Sequence, residues 1–341
     1  MKRTIDTKAK PYLFFGGTAY LGMPRNEEFR KLVFEGIERY GVNHGASRNN
    51  NSALDIYSIA EAEVARLCDS EDAIVVSSGY LAAQLVVQHY FAEHQLIYAP
   101  DTHPALWIGK PEPPVLWFND WVERTIMEVN ASEKTPLIIT NSLNNLFPEI
   151  YNFDWLKHLD PEKQVTLLID DSHGIGITGL KGEGVYSGIP RLPNIEVLVV
   201  ASMAKALGVD AGFILGDRKS IQTLRSSPVY VGSSPPSPGI LYAYTQAEEI
   251  YRDELKKLRK NIRFFTNLIA GNEGLSYVNN FPVFLLNDPR SAEYLLKEGI
   301  LISSFPYPDP EGEYLNRVVI SSSHRRDELE ILATAINQGL E

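Results

Sequence analysis

Apolar residues recur at helical spacing from residue 28 to 40, where Phe29, Leu32, Val33, Gly36, Ile37 and Tyr40 fall on one face. The spacing predicts an amphipathic helix. An asparagine-rich polar loop follows at residues 41–52, and residues 55–68 return to the helical period. The pattern then changes. Residues 73–76, 96–99, 115–118, 137–140, 165–169 and 197–201 are short apolar runs rich in β-branched residues, with a further candidate at 211–215. Several are apolar on both faces, as strands of a sheet covered on both sides must be. Strands alternating with helix-length segments predict an α/β domain with a mainly parallel sheet. Past the proline-rich stretch 234–238 the character shifts again. Residues 239–268 read as one long charged helix, 283–286 and 317–321 as short strands, and 326–338 as a last helix. The expected organisation is an N-terminal segment (1–40), a large α/β domain (41–236) and a smaller C-terminal α+β domain (237–341).

Composition narrows the function classes. Of 341 residues, 44% are apolar and 22% charged, which is globular composition with ample length for a large core. A net charge of −11 without any long basic block makes nucleic acid and anionic membrane poor partners. No apolar run approaches the roughly 20 residues of a membrane helix, and the first residues carry no apolar signal-peptide core. The one cysteine, Cys68, excludes an intramolecular disulfide and argues against a cysteine-rich metal site. A cytoplasmic protein with no metal site is expected.

Candidate chemistry collects where predicted strands end, as ligand sites in open α/β sheets do. Ser77-Ser78-Gly79-Tyr80 precedes a helix, and small residues there leave backbone N–H groups free to cradle a phosphate; a plain helix cap is the alternative. His103 follows the run 96–99 and is either a ring-stacking or proton-transferring group, or a surface histidine. Asp170-Asp171-Ser172-His173-Gly174 ends the run 165–169. Carboxylates at the end of an apolar strand call for a cation: a protonated pyridine nitrogen, with Mg²⁺ or a capped turn as alternatives. Lys205 lies in Ser202-Met203-Ala204-Lys205-Ala206-Leu207-Gly208, in apolar surroundings that favour the neutral amine a Schiff base requires; most lysines are simply solvated. Ser202 is positioned to bind a phosphate. Arg317, on an apolar strand, is a candidate fork for a substrate carboxylate or a buried structural arginine. Gly174-Ile175-Gly176-Ile177-Thr178-Gly179 matches the dinucleotide fingerprint, but no apolar periodicity follows it. It therefore reads as a flexible loop and a weak case for NAD.

Together these residues resemble the α-oxoamine synthase family of fold-type I pyridoxal-phosphate (PLP) enzymes. The likeness runs in order through Tyr20-Leu21-Gly22-Met23, Arg39-Tyr40-Gly41, Ser77 to Tyr80, Asp170 to Gly174 with Gly182-Glu183-Gly184, Ser202 to Gly208, and Ser321-Ser322-Ser323-His324. The resemblance implies a Schiff base on Lys205, Asp170 paired with the pyridine nitrogen, His173 at the ring hydroxyl and His103 stacked on the ring. It further implies a cofactor pocket lined by Ser78, Gly79, Tyr80 and Ser202, with Asn145 replacing a serine at the ring hydroxyl. Arg317 would bind the amino-acid carboxylate. Homodimers with an interfacial active site are implied, with Ser233 and Ser234 reaching the partner's phosphate. The implied reaction condenses an amino acid with an acyl-CoA or other acyl thioester. An aminotransferase on the same cofactor, a dehydrogenase using the 174–179 loop, and a homologue that keeps PLP without catalysis are the other readings. Retention of Lys205, Asp170 and His173 argues against the last.

Overall fold

The computed structural model describes residues 4–6, 11–48, 50–144, 146–306 and 311–339. The larger of its two main sheets has six strands, in the order Asp72–Val76, Gly212–Gly216, Ile195–Ser202, Val165–Asp170, Pro136–Asn141, Gln95–Tyr98. The last four run parallel, and Gly212–Gly216 is antiparallel to both of its neighbours. Alternate residues of each strand enter different apolar clusters: Ile74, Leu137, Leu168 and Val200 on one face, Val75, Ile138, Ile169 and Val199 on the other. Both faces are dry, which is why these strands are uninterrupted apolar runs. Register aligns Asn141 with Asp170, Asp170 with Val200, and Ser202 with Gly212 and thence Val76. The chemically interesting strand ends thus share one edge.

The second sheet also has six strands, ordered Thr4–Asp6, Pro11–Phe15, Ile300–Pro306, Tyr314–Val319, Val283–Leu286, Leu275–Tyr277. Pro11–Phe15 pairs parallel with Ile300–Pro306, so the first residues complete a sheet built mainly from the last quarter of the chain. The connecting helices cross closely. A Cβ on Gly36, in helix Glu27–Tyr40, would lie 2.2 Å from the Gly239 carbonyl oxygen of helix Pro238–Gln246. Only hydrogen side chains permit that approach.

Two expected elements differ. Residues 115–118 form no strand: Val115 and Trp117 are exposed, and Phe118 opens helix Phe118–Ala131. Pro113 and Pro114 supply no ladder donors just upstream, while Phe118, Trp121, Val122, Thr125 and Val129 bury one helical face. The long helix at 239–268 is two, Pro238–Gln246 and Glu248–Leu268, separated at buried Ala247 (φ −103°, ψ 14°). The first is largely buried and the second amphipathic, so each follows a different surface. Among the described residues no helix is long and apolar enough to cross a membrane.

Candidate active site

Strand Val165–Asp170 ends in two carboxylates that part company. Asp170 is half-buried, and its Oδ1 accepts the Ser172 N–H at 2.8 Å. Asp171 turns into the following loop, where it is 2% exposed and its Oδ2 accepts the Val185 N–H at 2.9 Å. A Cβ on Gly174 or Gly184 would come within 2.0 or 2.1 Å of its oxygens. Of the glycines that mimic a dinucleotide fingerprint, Gly174 is therefore required by Asp171, while Gly176 presses on Ala206 and Gly179 on Glu183. Burial pushes its carboxyl up to about 7.

The loop is not the flexible segment its glycines suggest. Gly176 N–H donates to the Gly182 carbonyl at 2.8 Å and Gly184 N–H to the Thr178 carbonyl at 3.1 Å. The Arg259 guanidinium adds bonds to the carbonyls of Leu180 (2.8 Å) and Gly179. No helix opens where a dinucleotide motif needs one; a single 3₁₀ turn, Tyr186–Gly188, follows. Because the two carboxylates serve different neighbours, they do not form a shared cation site. Among the described residues no group of three His, Cys, Asp or Glu side chains is arranged to hold a metal ion.

Lys205 sits in the turn after strand Ile195–Ser202, its Nζ 3.0 Å from His173 Nε2. Across the ring, the Tyr20 hydroxyl lies 2.8 Å from His173 Nδ1. Burial raises the Tyr20 phenol well above its ordinary value, so it stays protonated and can donate to Nδ1. With the phenol as donor, the His173 proton sits on Nε2, facing the amine. Burial holds Lys205 below the ordinary lysine range, with Asp170 opposing and Arg317 adding to the effect. Burial first, then the charges of Lys205 and Arg317, hold His173 well below its ordinary value. A neutral imidazole therefore faces an amine biased towards its neutral form. Arg317 reaches this group from the second sheet, 7% exposed and with its guanidinium 4.9 Å from the Phe305 ring centroid.

The other predicted residues surround this pair unevenly. His103 lies in the same pocket, which Asp101, Asn141, Ser142, Leu143, Leu146, Asp170 and His173 also line. Its backbone N–H donates to Asn141 Oδ1 (3.2 Å), and its ring Nδ1 accepts the Ala105 N–H (3.1 Å). Burial lowers its pKa. Ser78 is a helix cap, its Oγ accepting the Leu81 N–H at 3.1 Å. Gly79 presses on Ser202 so closely that a Cβ there would lie 2.6 Å from Ser202 Cβ. Ser202 N–H donates to Ser172 Oγ at 2.8 Å. Tyr80 is 63% exposed. Ser233 donates to the Tyr230 carbonyl (3.0 Å) and Ser234 is exposed; among the described residues neither bonds to Lys205, Asp170 or His173. Asn145 lies outside the described residues.

Sequence reasoning missed Tyr20, Asp101, Asn141 and Asn144 as site residues. Asp101 holds a left-handed φ of 53°, with its carbonyl accepting Asn141 Nδ2 (2.7 Å) and its carboxylate accepting Asn144 Nδ2 (2.8 Å). Asp101 stands directly before Thr102-His103, which was the available signal. Tyr20 stood in the family-like run Tyr20-Leu21-Gly22-Met23, but nothing there pointed to its partner His173, 153 residues away.

The profile of the aminotransferase class I and II family matches residues 118–336, which include Asp170, His173, Lys205 and Arg317. The chain belongs to this family. Within it, the chain is 26% identical over 345 residues to the 8-amino-7-oxononanoate synthase of Petrotoga mobilis, covering 96% of this chain and 88% of that protein. It is also 26% identical over 355 residues to the protein of the same name from Thermosipho melanesiensis, covering 96% and 90%. Among solved structures, Sphingomonas wittichii serine palmitoyltransferase superposes with a TM-score of 0.81 at 19% identity, covering 98% of this chain and 88% of that one. The 8-amino-7-oxononanoate synthase of Francisella tularensis gives a TM-score of 0.73 at 20% identity, covering 96% and 97%. These superpositions establish a fold-type I α/β architecture for this family member.

Proposed function

We propose that the chain is a PLP-dependent acyltransferase of the α-oxoamine synthase type, condensing an amino acid with an acyl-CoA. The observation that carries this reading is the amine of Lys205, biased towards neutrality and 3.0 Å from His173, which itself lines a pocket with Asp170 and His103. The surroundings suit the cofactor. The close approach of Gly79 and Ser202 at the start of helix Gly79–Tyr90 leaves main-chain donors beside a hydroxyl, as a phosphate requires. Bound as a Schiff base on Lys205, PLP supplies an electron sink for negative charge at the substrate Cα.

The remaining roles belong to the chain. Asp170 holds a pyridinium proton and His103 covers the ring face. Tyr20 and His173 form a relay that orients the lysine, and Ser78, Gly79 and Ser202 hold the phosphate. Arg317 would bind the amino-acid carboxylate, placing Cα against Lys205, whose neutral amine would accept the Cα proton. Exposed Tyr80 and Ser234, with half-buried Ser233, belong to the same reading as parts of a homodimer interface that completes the pocket. A cytoplasmic setting and a division near residue 236 into a large and a small domain complete it.

Family membership also admits transamination, and the second substrate separates the two. The purified protein, loaded with PLP, is incubated with amino acids and either acyl-CoA thioesters or 2-oxo acids. Free CoA appearing only with amino acid and thioester together is expected. A new amino acid formed from a 2-oxo acid, without CoA release, would replace acyl transfer by transamination.

A further inference from the structure

A cavity of about 470 Å³ lies behind the Lys205 turn, between helix Ile56–Cys68, the loop 174–184 and the two helices Pro238–Gln246 and Glu248–Leu268. Its apolar lining is Leu67, Leu207, Leu255 and the rings of Tyr244 and Tyr251. Around these stand five basic side chains, Arg66, Lys181, Arg252, Lys256 and Arg259, against two acidic ones, Glu63 and Glu248. A positive lining is notable in a chain of net charge −11. Arg66 is held by both acids, at 2.6 and 2.9 Å. Arg252 and Lys256 meet only exposed neighbours one turn away, Glu249 and Asp253, and such pairs neutralise little. Arg259 donates to neutral carbonyls, and Lys181 has no ion pair among the described residues. Glu183 in the same loop is taken up by the Leu180 and Lys181 backbone N–H groups (3.0 and 2.7 Å) and forms no ion pair with either cation among the described residues, so the lining stays positive. In addition, Tyr244 is 4% exposed, and its hydroxyl makes no hydrogen bond among the described residues. Tyr244 lines the cavity, where its hydroxyl can donate to a ligand.

We propose that this cavity is a second binding site, separate from the Lys205 pocket, for an amphiphilic anion: a carboxylate or phosphate on a hydrocarbon arm. The arm lies on Leu67, Leu207 and Leu255, and the head group meets Lys181, Arg259 and the Tyr244 hydroxyl. The site adjoins the catalytic elements. Tyr251 donates to the Leu207 carbonyl at 2.9 Å, two residues beyond Lys205, and Gly176 lies three beyond His173. A ligand seated there therefore touches both loops that carry the proposed catalytic pair. This coupling rests on the acyltransferase reading; the binding does not.

Titration calorimetry on the full chain tests it, with octanoate and octyl phosphate as probes, and octanol and inorganic phosphate as controls. Octanoate or octyl phosphate binds one per chain, the tighter of the two naming the head group, and each control binds at least roughly tenfold more weakly. Lys181→Glu, an exposed change that leaves folding intact, weakens binding about tenfold or more, and Tyr244→Phe weakens it severalfold. Lys205→Ala leaves the affinity unchanged, which keeps the result independent of the catalytic assignment. Absence of binding, equal binding by inorganic phosphate alone, or affinity indifferent to Lys181→Glu would overturn the proposal.

Discussion

Tyr20→Phe is the most informative single substitution, because it removes one oxygen and leaves the ring packed. The phenol lies 2.8 Å from His173 Nδ1, and as donor there it commits the imidazole proton to Nε2, which faces Lys205 Nζ at 3.0 Å. A donor aimed at the amine lone pair favours neutral lysine. Without the phenol the imidazole proton can sit on either nitrogen, and the lysine loses a fixed donor. A neutral hydrogen bond of this kind is worth about 1 kcal/mol net, which at about 1.4 kcal/mol per pKa unit moves Lys205 upward by somewhat under one unit. The buried Nδ1, now without a donor, also costs about 1–3 kcal/mol of stability. The assay is the rate at which the cofactor-free protein takes up PLP, followed by absorbance across pH. The profile of the variant is expected to shift to higher pH by just under one unit, with a modestly lower unfolding midpoint. A superimposable profile, or one displaced to lower pH, would refute the proposed relay.

Three further consequences are open to measurement. Asp170→Asn should retain PLP but slow loss of the substrate Cα proton severely, since an amide cannot hold a pyridinium proton; exchange of that proton with deuterated solvent, if near normal, would show that Asp170 is not the ring partner. Asp171 is buried with its carboxyl raised to about 7, so the folded state keeps a proton through a range where the unfolded chain has lost it. Its stability contribution is present in full below about pH 4 and is lost as pH rises through about 7, roughly three units or about 4 kcal/mol. Asp171→Asn should therefore gain on the parent between pH 4 and 8 by up to that amount, whereas parallel stability–pH curves would mean that the carboxyl titrates normally. Gly36→Ala should destabilise by about 1–3 kcal/mol through overpacking against the Gly239 carbonyl; an unchanged thermal midpoint would show that the two helices can part at no cost.

What could be read from the sequence follows from where each constraint lies. The strands of the larger sheet were legible because burial on both faces leaves an unbroken apolar run, and their observed ends differ from expectation by one or two residues. Asp170, His173, Ser202 and Lys205 were legible because each sits just past such a run. Residues 115–118 misled because a short apolar run has no period of its own, and the helix they introduce declares itself only over Phe118 to Val129. The loop 174–184 was misread as flexible because glycine marks both mobility and close approach; the causes, Asp171 beside Gly174 and Gly184, Ala206 beside Gly176 and Glu183 beside Gly179, appear only in three dimensions. Long-range pairings left no local trace. Tyr20 meets His173, and Pro11–Phe15 meets Ile300–Pro306, across most of the chain.

The central claim is that Lys205 is the residue that binds the cofactor covalently. The most direct test is borohydride reduction of the PLP-loaded protein, followed by peptide mass mapping, with Lys205→Ala alongside. A single pyridoxyl adduct on Lys205, absent from a variant that keeps the parent's fold, is the predicted result. An adduct on another lysine, or a Lys205→Ala protein that still turns over, would contradict the account.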